Sequence, residues 1–441
     1  MDLLRNPVRA YAWGSRTAIA SLLGRPVPAP HPEAELWIGA HPTDPSVLLG
    51  DPERSLLAAV EQDPDGQLGR ACVQRFGPRL PFLLKVLAAD EPLSMQAHPS
   101  ARLAREGFAR EQAKGIPLDA PQRNYKDPDH KPELVCALTE FHALAGFRAV
   151  PGALELLHAL NVRQLAAYVE LLNAQPDADG LRALFTTWIT LPQPALAELM
   201  PYLLAACVEH IKGRGPFARE CRTVLQLAEP YPTDAGVMTS LLLNHVVLSP
   251  GEAIYLPPGN LHAYLHGTAV EIQANSDNVL RGGLTPKHVD VPELLRVLDF
   301  AAGDIPVLRG EYGGEPGAAR EVGYPTPTPE FRLSRLDWAA GDTEPAELDG
   351  HTGHRDPGRR HHGRRDHRHH DPRRRDHGHR DRGPQVLLSV AGTAVLETAD
   401  GRKLELPRGA AAWVAATDPP VTVRGTGDDC RVFRATTGKV G

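Results

Sequence analysis

The sequence predicts a mainly β protein in which a helical block is inserted into one β domain and a second β domain follows. Three observations carry that reading. Short apolar runs broken by Pro and Gly turns fill residues 1–150 and return over 239–300. Between them, at 151–238, apolar residues recur every three or four positions. A C-terminal stretch then repeats one of the earlier turn-and-strand patterns.

In the first segment, "LPFLLKVLAA" (80–89) reads as a buried strand interrupted by Lys85. "SMQAHP" follows it, and "ELVCALTEFHALAGF" (133–147) reads as strand, bend and strand. The segment 151–238, with "VPGALELLHALNVRQLAAYVELL" and "ALAELMPYLLAACVEHI", predicts about five helices. "LNHVVLSPGEAIYLPPGNLHAYLHGTAVEIQANS" (243–276) resumes strand texture, with turn signals spaced as in a barrel or sandwich. Residues 1–150 and 239–300 are therefore taken as two parts of one domain around the insertion. Residues 301–350 and 384–441 form the second β domain. There "LPRGAAAWVA" (406–415) aligns without gaps on "LPPGNLHAYL" (256–265), and Ala412 takes the place of His262, so this domain is expected to lack a polar site. The tract 351–383, rich in His, Arg and Asp, has almost nothing apolar to bury and reads as a disordered linker. A GC-rich coding frame shifted by one base is an alternative origin for it.

With 42% apolar and 23% charged residues in 441, the composition is that of a soluble globular chain. A net charge of −6 gives no footing for nucleic acid or an acidic membrane. No signal-peptide pattern opens the chain, and no run approaches a membrane span. Five scattered cysteines read as reduced thiols, hence a cytoplasmic protein. Of 48 basic residues only eight are lysine, so a lysine in a motif calls for a reason beyond solubility.

Gln96 and His98 lie two apart and would share a strand face. A metal-ligating pair and a hydrogen-bonded core pair both fit that spacing. Adding Glu133, behind "HKP", and His262, behind the turn "PPGN", gives two imidazoles, a carboxylate and an amide oxygen. If they converge, this set suits a zinc-type ion, with one anionic ligand leaving the ion strongly Lewis-acidic.

"YKDPDHKPE" (125–133) and "HAYLHGTAVEIQANSDNVLRGGLTPKHVD" (262–290) closely resemble the signature segments of type I mannose-6-phosphate isomerases. "AYAWGS", "AELWIGAHP" and "LPFLLKVLAADEPLSMQAHP" resemble the same family, so the likeness runs from about residue 5 to 300. The resemblance implies two cupin (jelly-roll) β-barrel domains with an inserted α-helical domain. It also implies one Zn²⁺ per chain on Gln96, His98, Glu133 and His262, and interconversion of mannose 6-phosphate with fructose 6-phosphate. Asp129 stands where many members carry Asn, and Gln273 replaces a common Met; neither is an implied ligand.

An aldose–ketose isomerase passes a proton between adjacent carbons through an enediol(ate), so it needs a base, a polarised oxygen and a countercharge. Arg281 offers fixed planar donors for an enediolate or phosphate, and Lys287 a further cation. Gly282 and Gly283 would allow close backbone approach to a ligand. Lys131 and Glu271 are the candidate proton carriers, with Asp277 an alternative and His130 suited to ring opening. Lys85, Ser94, Trp13 and Tyr264 are candidate substrate contacts. The expected partner is a small phosphosugar, with no nucleic acid and no membrane, and the chain is expected to be a monomer. A cupin dioxygenase and a non-catalytic sugar-binding cupin are the competing readings. Nothing in the first calls for "RGGLTPK", and filled catalytic positions speak against the second.

Overall fold

A computed structural model describes residues 1–50, 52–313, 320–339, 341–342, 344–348 and 382–438. The tract read as a linker lies, up to residue 381, outside the described residues. The chain divides into two compact units: Val8–Trp37 with Phe82–Gly310, and Met1–Pro7 with Ile38–Pro81 and Glu311–Gly441.

The first unit is built on a ten-stranded sheet. Its main path runs Leu243–Leu248, Phe141–Phe147, His262–Ala274, Phe82–Ala89, Glu35–Ile38 and Val8–Arg9. The long strand His262–Ala274 is the spine, antiparallel to Phe82–Ala89, Glu133–Ala137, Met95–Ala97 and Phe141–Phe147. It bends at a bulge between Tyr264 and His266. Gly267 follows with φ of 115°, where a Cβ would lie 2.5 Å from the Glu140 carbonyl oxygen. Only glycine fits there. Phe82–Ala89 is buried along its whole length, as its near-continuous apolar run requires.

Helices Val150–Leu160, Ala166–Ala174, Ala178–Ile189, Gln193–Lys212 and Ala218–Ala228 match the five expected, and a short sixth, Ala235–Thr239, follows. Asp177 caps the third by accepting from the Asp179 and Gly180 amides, and Asn161, at φ 48°, ends the first. Their apolar faces do not form a separate core. Leu157, Phe185, Trp188 and Leu203 share one buried cluster with Leu144, Phe147 and Leu265 of the sheet. No single helix among the described residues is long and apolar enough to cross a membrane.

The second unit carries an eleven-stranded sheet in which Gln385–Thr398 pairs with Val421–Thr436 and Ala411–Val414. Its "LPRG" turn has the same form as "LPPG": Gly409 and Gly259 have φ of 82° and 89°. Ala410 N donates to Pro407 O at 2.9 Å, and Asn260 N to Pro257 O at 3.1 Å. Ala412, at the position of His262, is fully buried among Leu336, Leu387 and Leu396. The closed barrels that the family resemblance implies are not formed among the described residues. Both strand paths are open among the described residues, because their end strands find no partner in one another.

Candidate active site

Strand register brings the predicted residues onto common faces. Glu133 pairs with Gln273, and Glu271 pairs with Lys85 across His262–Ala274. His262 pairs with Gln96, which in turn pairs with Arg281. Directly paired residues share a sheet face. His262 and Glu271 are an odd number of residues apart, so a regular strand would point them oppositely. The bulge between Tyr264 and His266 shifts that parity, and Tyr264 Oη donates to Glu271 Oε1 at 2.8 Å.

His98, Glu133 and His262 converge. Each contributes a donor atom to a buried group whose atoms lie within 4.8 Å of one another. His98 Nε2 is 3.3 Å from Glu133 Oε1, and His262 Nε2 is 3.4 Å from Glu133 Oε2. Each ring is oriented through its other nitrogen: His98 Nδ1–H donates to Asn278 O at 2.7 Å, and His262 Nδ1–H to Asn260 O at 3.1 Å. Metal-ligating imidazoles are commonly held this way. His98 Nε2, His262 Nε2 and Glu133 Oε2 are buried without a hydrogen-bond partner. Burial holds the His98 imidazole down to about 4, so it stays neutral with its lone pair available. Burial acts to raise the Glu133 carboxyl, but Lys131 and the two imidazoles outweigh it and hold it well below the ordinary carboxylate range. Three orphaned donors facing one point fit a borderline divalent ion. Gln96 is half-buried beside them, its place set by pairing with His262.

The charged loop is ordered by buried partners. Lys131 Nζ, nearly buried, lies 3.1 Å from Glu133 Oε1. Upstream, the fully buried Asn278 accepts from the Lys126 and Asp127 amides through Oδ1. Its Nδ2 donates to the Asp127 and Asp129 carbonyls, each at 2.8 Å. Asp127 accepts from Ser276 Oγ and from the Asp277 and Asp129 amides. Asp277 thus meets the loop through its backbone, while His130 is half-buried within it.

Lys85 does not reach solvent. Its Nζ lies 3.1 Å from Glu271 and 3.6 Å from Glu35, over the Trp37 ring. Burial would lower the ammonium, but Glu271, Glu35 and Glu133 outweigh it and raise it. Glu271 is itself raised, first by burial and then by Glu133 and Glu35, against the pull of Lys85. Trp37 Nε1 donates to Glu35 at 2.8 Å.

Arg281 and Lys287 stand apart from this chain. Burial lowers both, and Lys287 is lowered further by Arg281 and Lys126. Three cations therefore gather without a carboxylate partner among the described residues. Gly282 and Gly283 do not open a backbone approach for a ligand, because protein fills the space. A Cβ on Gly283 would meet Asp234 Oδ1 at 2.7 Å, and one on Gly282 would meet Leu261 at 3.0 Å. Ser94 is half-buried before Met95–Ala97. Trp13 stacks on Tyr11 and packs against the cluster containing Tyr264. Sequence patterns give no role to Glu35, Asn278 or Asp127, and mark Lys126 only as one of the few lysines lying in a motif segment. The turn-forming run "NSDN" is the one signal that could have pointed to Asn278.

An open, strand-rich frame holding a buried His–Glu–His donor set beside paired lysines and carboxylates defines a metal-site enzyme. The family model for the type I phosphomannose isomerase catalytic domain matches residues 1–150. Mannose-6-phosphate isomerase of Salmonella typhimurium is 38% identical over 436 residues, covering 98% of this chain and 99% of the relative. The Escherichia coli enzyme is also 38% identical, with the same coverage of both chains. Among solved structures, a mutant of the Salmonella typhimurium phosphomannose isomerase superposes with TM-score 0.83 at 35% identity, covering both chains fully. A zinc-bound mannose 6-phosphate isomerase does so at 0.81 and 35%, covering 99% of each. The chain belongs to the type I mannose-6-phosphate isomerases, which are aldose–ketose isomerase enzymes.

Proposed function

We propose that the chain interconverts D-mannose 6-phosphate and D-fructose 6-phosphate through an enediol(ate), with one Zn²⁺ on His98, Glu133, His262 and Gln96. The observation that carries this reading is the trio of buried, unpartnered donors with the Lys131 ammonium 3.1 Å from Glu133. Zinc, when bound, supplies Lewis acidity and countercharge at the sugar's oxygens.

The chain's own residues divide the remaining tasks. Lys126, Arg281 and Lys287 hold the phosphate, since their mutual repulsion is relieved only by an anion. Arg281 lies on the strand paired with Gln96, which in turn pairs with His262, and this register supports a place for it near the reacting end. Lys131 and Glu271 are the candidate carriers of the C1/C2 proton. Glu271 is raised towards neutrality, which suits a carboxyl that takes and returns a proton. Lys85 and Tyr264 hold its two oxygens in place. His130 and Asp277 line the loop side, where ring opening would occur, and Ser94 and Trp13 form outer walls.

The domain reading goes with this function: a cupin-type catalytic domain over 1–150 and 239–300, an inserted helical domain over 151–238, and a second, metal-free cupin-like domain over 301–350 and 384–441. A cytoplasmic monomer supplying or consuming mannose 6-phosphate for GDP-mannose and glycan synthesis completes the proposal. A coupled assay for fructose 6-phosphate, with chelation and zinc add-back, tests it. Folded protein whose turnover ignores the chelator would refute the metal-dependent reading.

A further inference from the structure

A second histidine pair lies outside the active site, on the sheet face that packs under helix Ala218–Ala228. His142 Nδ1 and His245 Nε2 are 3.2 Å apart. Register sets them on one face: His142 pairs with Val247, two residues beyond His245, and on its other side with His266. Each ring is tied through its remaining nitrogen. His142 Nε2 is 3.0 Å from Glu140 Oε1, and His245 Nδ1 is 3.1 Å from Thr223 Oγ1.

Those ties fix the protons. Thr223 donates its hydroxyl hydrogen to Arg219 O, so it accepts from His245 Nδ1–H and leaves His245 Nε2 bare. The Glu140 carboxylate can only accept, so His142 Nε2 carries a hydrogen. Two nitrogens then face each other at 3.2 Å, and unless His142 is doubly protonated, two lone pairs meet there. A positive charge belongs between them. Two ligands about 2.0–2.1 Å from a tetrahedral zinc-type ion are themselves about 3.3 Å apart. The carboxylate–imidazole tie of Glu140 to His142 is also the usual outer partner of a metal-ligating histidine.

We propose that His142 and His245 form a second cation site, where a divalent transition-metal ion of the zinc class displaces the proton shared between their facing nitrogens. The ion enters, one proton leaves to solvent, and the net gain is one positive charge. Glu140 faces that charge from the strand's start, and Glu220 lies close to His245; Arg219, Arg148 and His266 oppose it. Burial, His142 and the two arginines hold the His245 imidazole down to about 4. His142 is partly exposed, which leaves room for water to complete the coordination.

The test starts from protein already loaded at His98, Glu133 and His262, titrated with Zn²⁺ by calorimetry near pH 6 in two buffers of different ionisation enthalpy. One further ion per chain is expected, with about one proton released per ion, and both lost in His142→Gln and in His245→Gln. Glu140→Gln, on an exposed side chain, should weaken the second site roughly 10–100-fold while leaving isomerase activity intact. No further ion, binding without proton release, or equal binding in wild type and variants would overturn the proposal. Should a histidine variant unfold, histidine ring resonances of the wild-type protein decide instead: both His142 and His245 must shift with the added equivalent, and unmoved resonances refute the site.

Discussion

His98 donates its Nδ1–H to the backbone carbonyl of Asn278 at 2.7 Å, and the same asparagine's side chain holds four backbone groups of residues 126–129. One buried residue thus orients a metal-ligating imidazole and orders the charged loop that leads to Glu133. Asn278→Ala should therefore damage ion binding and loop order together. Metal affinity is expected to fall roughly 10–100-fold, as for loss of an outer-shell partner. Stability should drop by about 1–3 kcal/mol for buried groups left unpaired. Chelator competition and denaturant unfolding read the two effects separately. A variant with wild-type metal affinity would show that the carbonyl, held by the backbone alone, is enough.

Glu271→Gln keeps the shape and the Tyr264 contact but removes the titrating group. If Glu271 carries the proton, turnover should fall by about 10²–10⁴ with zinc content unchanged. Near-normal turnover with zinc retained would pass the role to Lys131, and Lys131→Met would then be the silent or lethal counterpart.

Lys126→Ala and Lys287→Ala should each raise KM for mannose 6-phosphate by roughly tenfold or more, as for loss of a charge-assisted contact of about 1.5–3 kcal/mol. The loss should shrink for unphosphorylated mannose, whose turnover does not draw on the cation cluster. Equal losses on both sugars would mean the lysines act on the fold.

The metal-free protein should lose stability on acidification. Burial holds His98 and His245 down to about 4 from an ordinary 6.5, so both stay neutral when folded. A depressed histidine contributes stability that is complete above pH 6.5 and is lost as pH falls towards 4. The depressed Glu133 acts in the same direction at lower pH, and the raised Glu271 opposes it. Urea unfolding of the apo protein at intervals from pH 7.5 to 4.5 should show a falling midpoint, reduced by bound zinc.

Much of this protein was fixed by local pattern. The helical block, the buried strand around Lys85 and the repeated L-P-x-G turns follow from apolar spacing and turn chemistry, which act within a few residues. The ligand candidates were legible because two imidazoles, a carboxylate and an amide sit at the starts and ends of recognisable strands. The tertiary structure decided whether they meet. His262 and Glu271 have opposite parity along the chain, and only the bulge beside Gly267 turns them to one side. Lys85 was visible as an oddity, but its two carboxylates, Glu35 and Glu271, come from different strands. The glycines after Arg281 looked made for a ligand and instead make room for Asp234 and Leu261. Long-range pairing sets such contacts, and neither composition nor periodicity records which strand lies beside which.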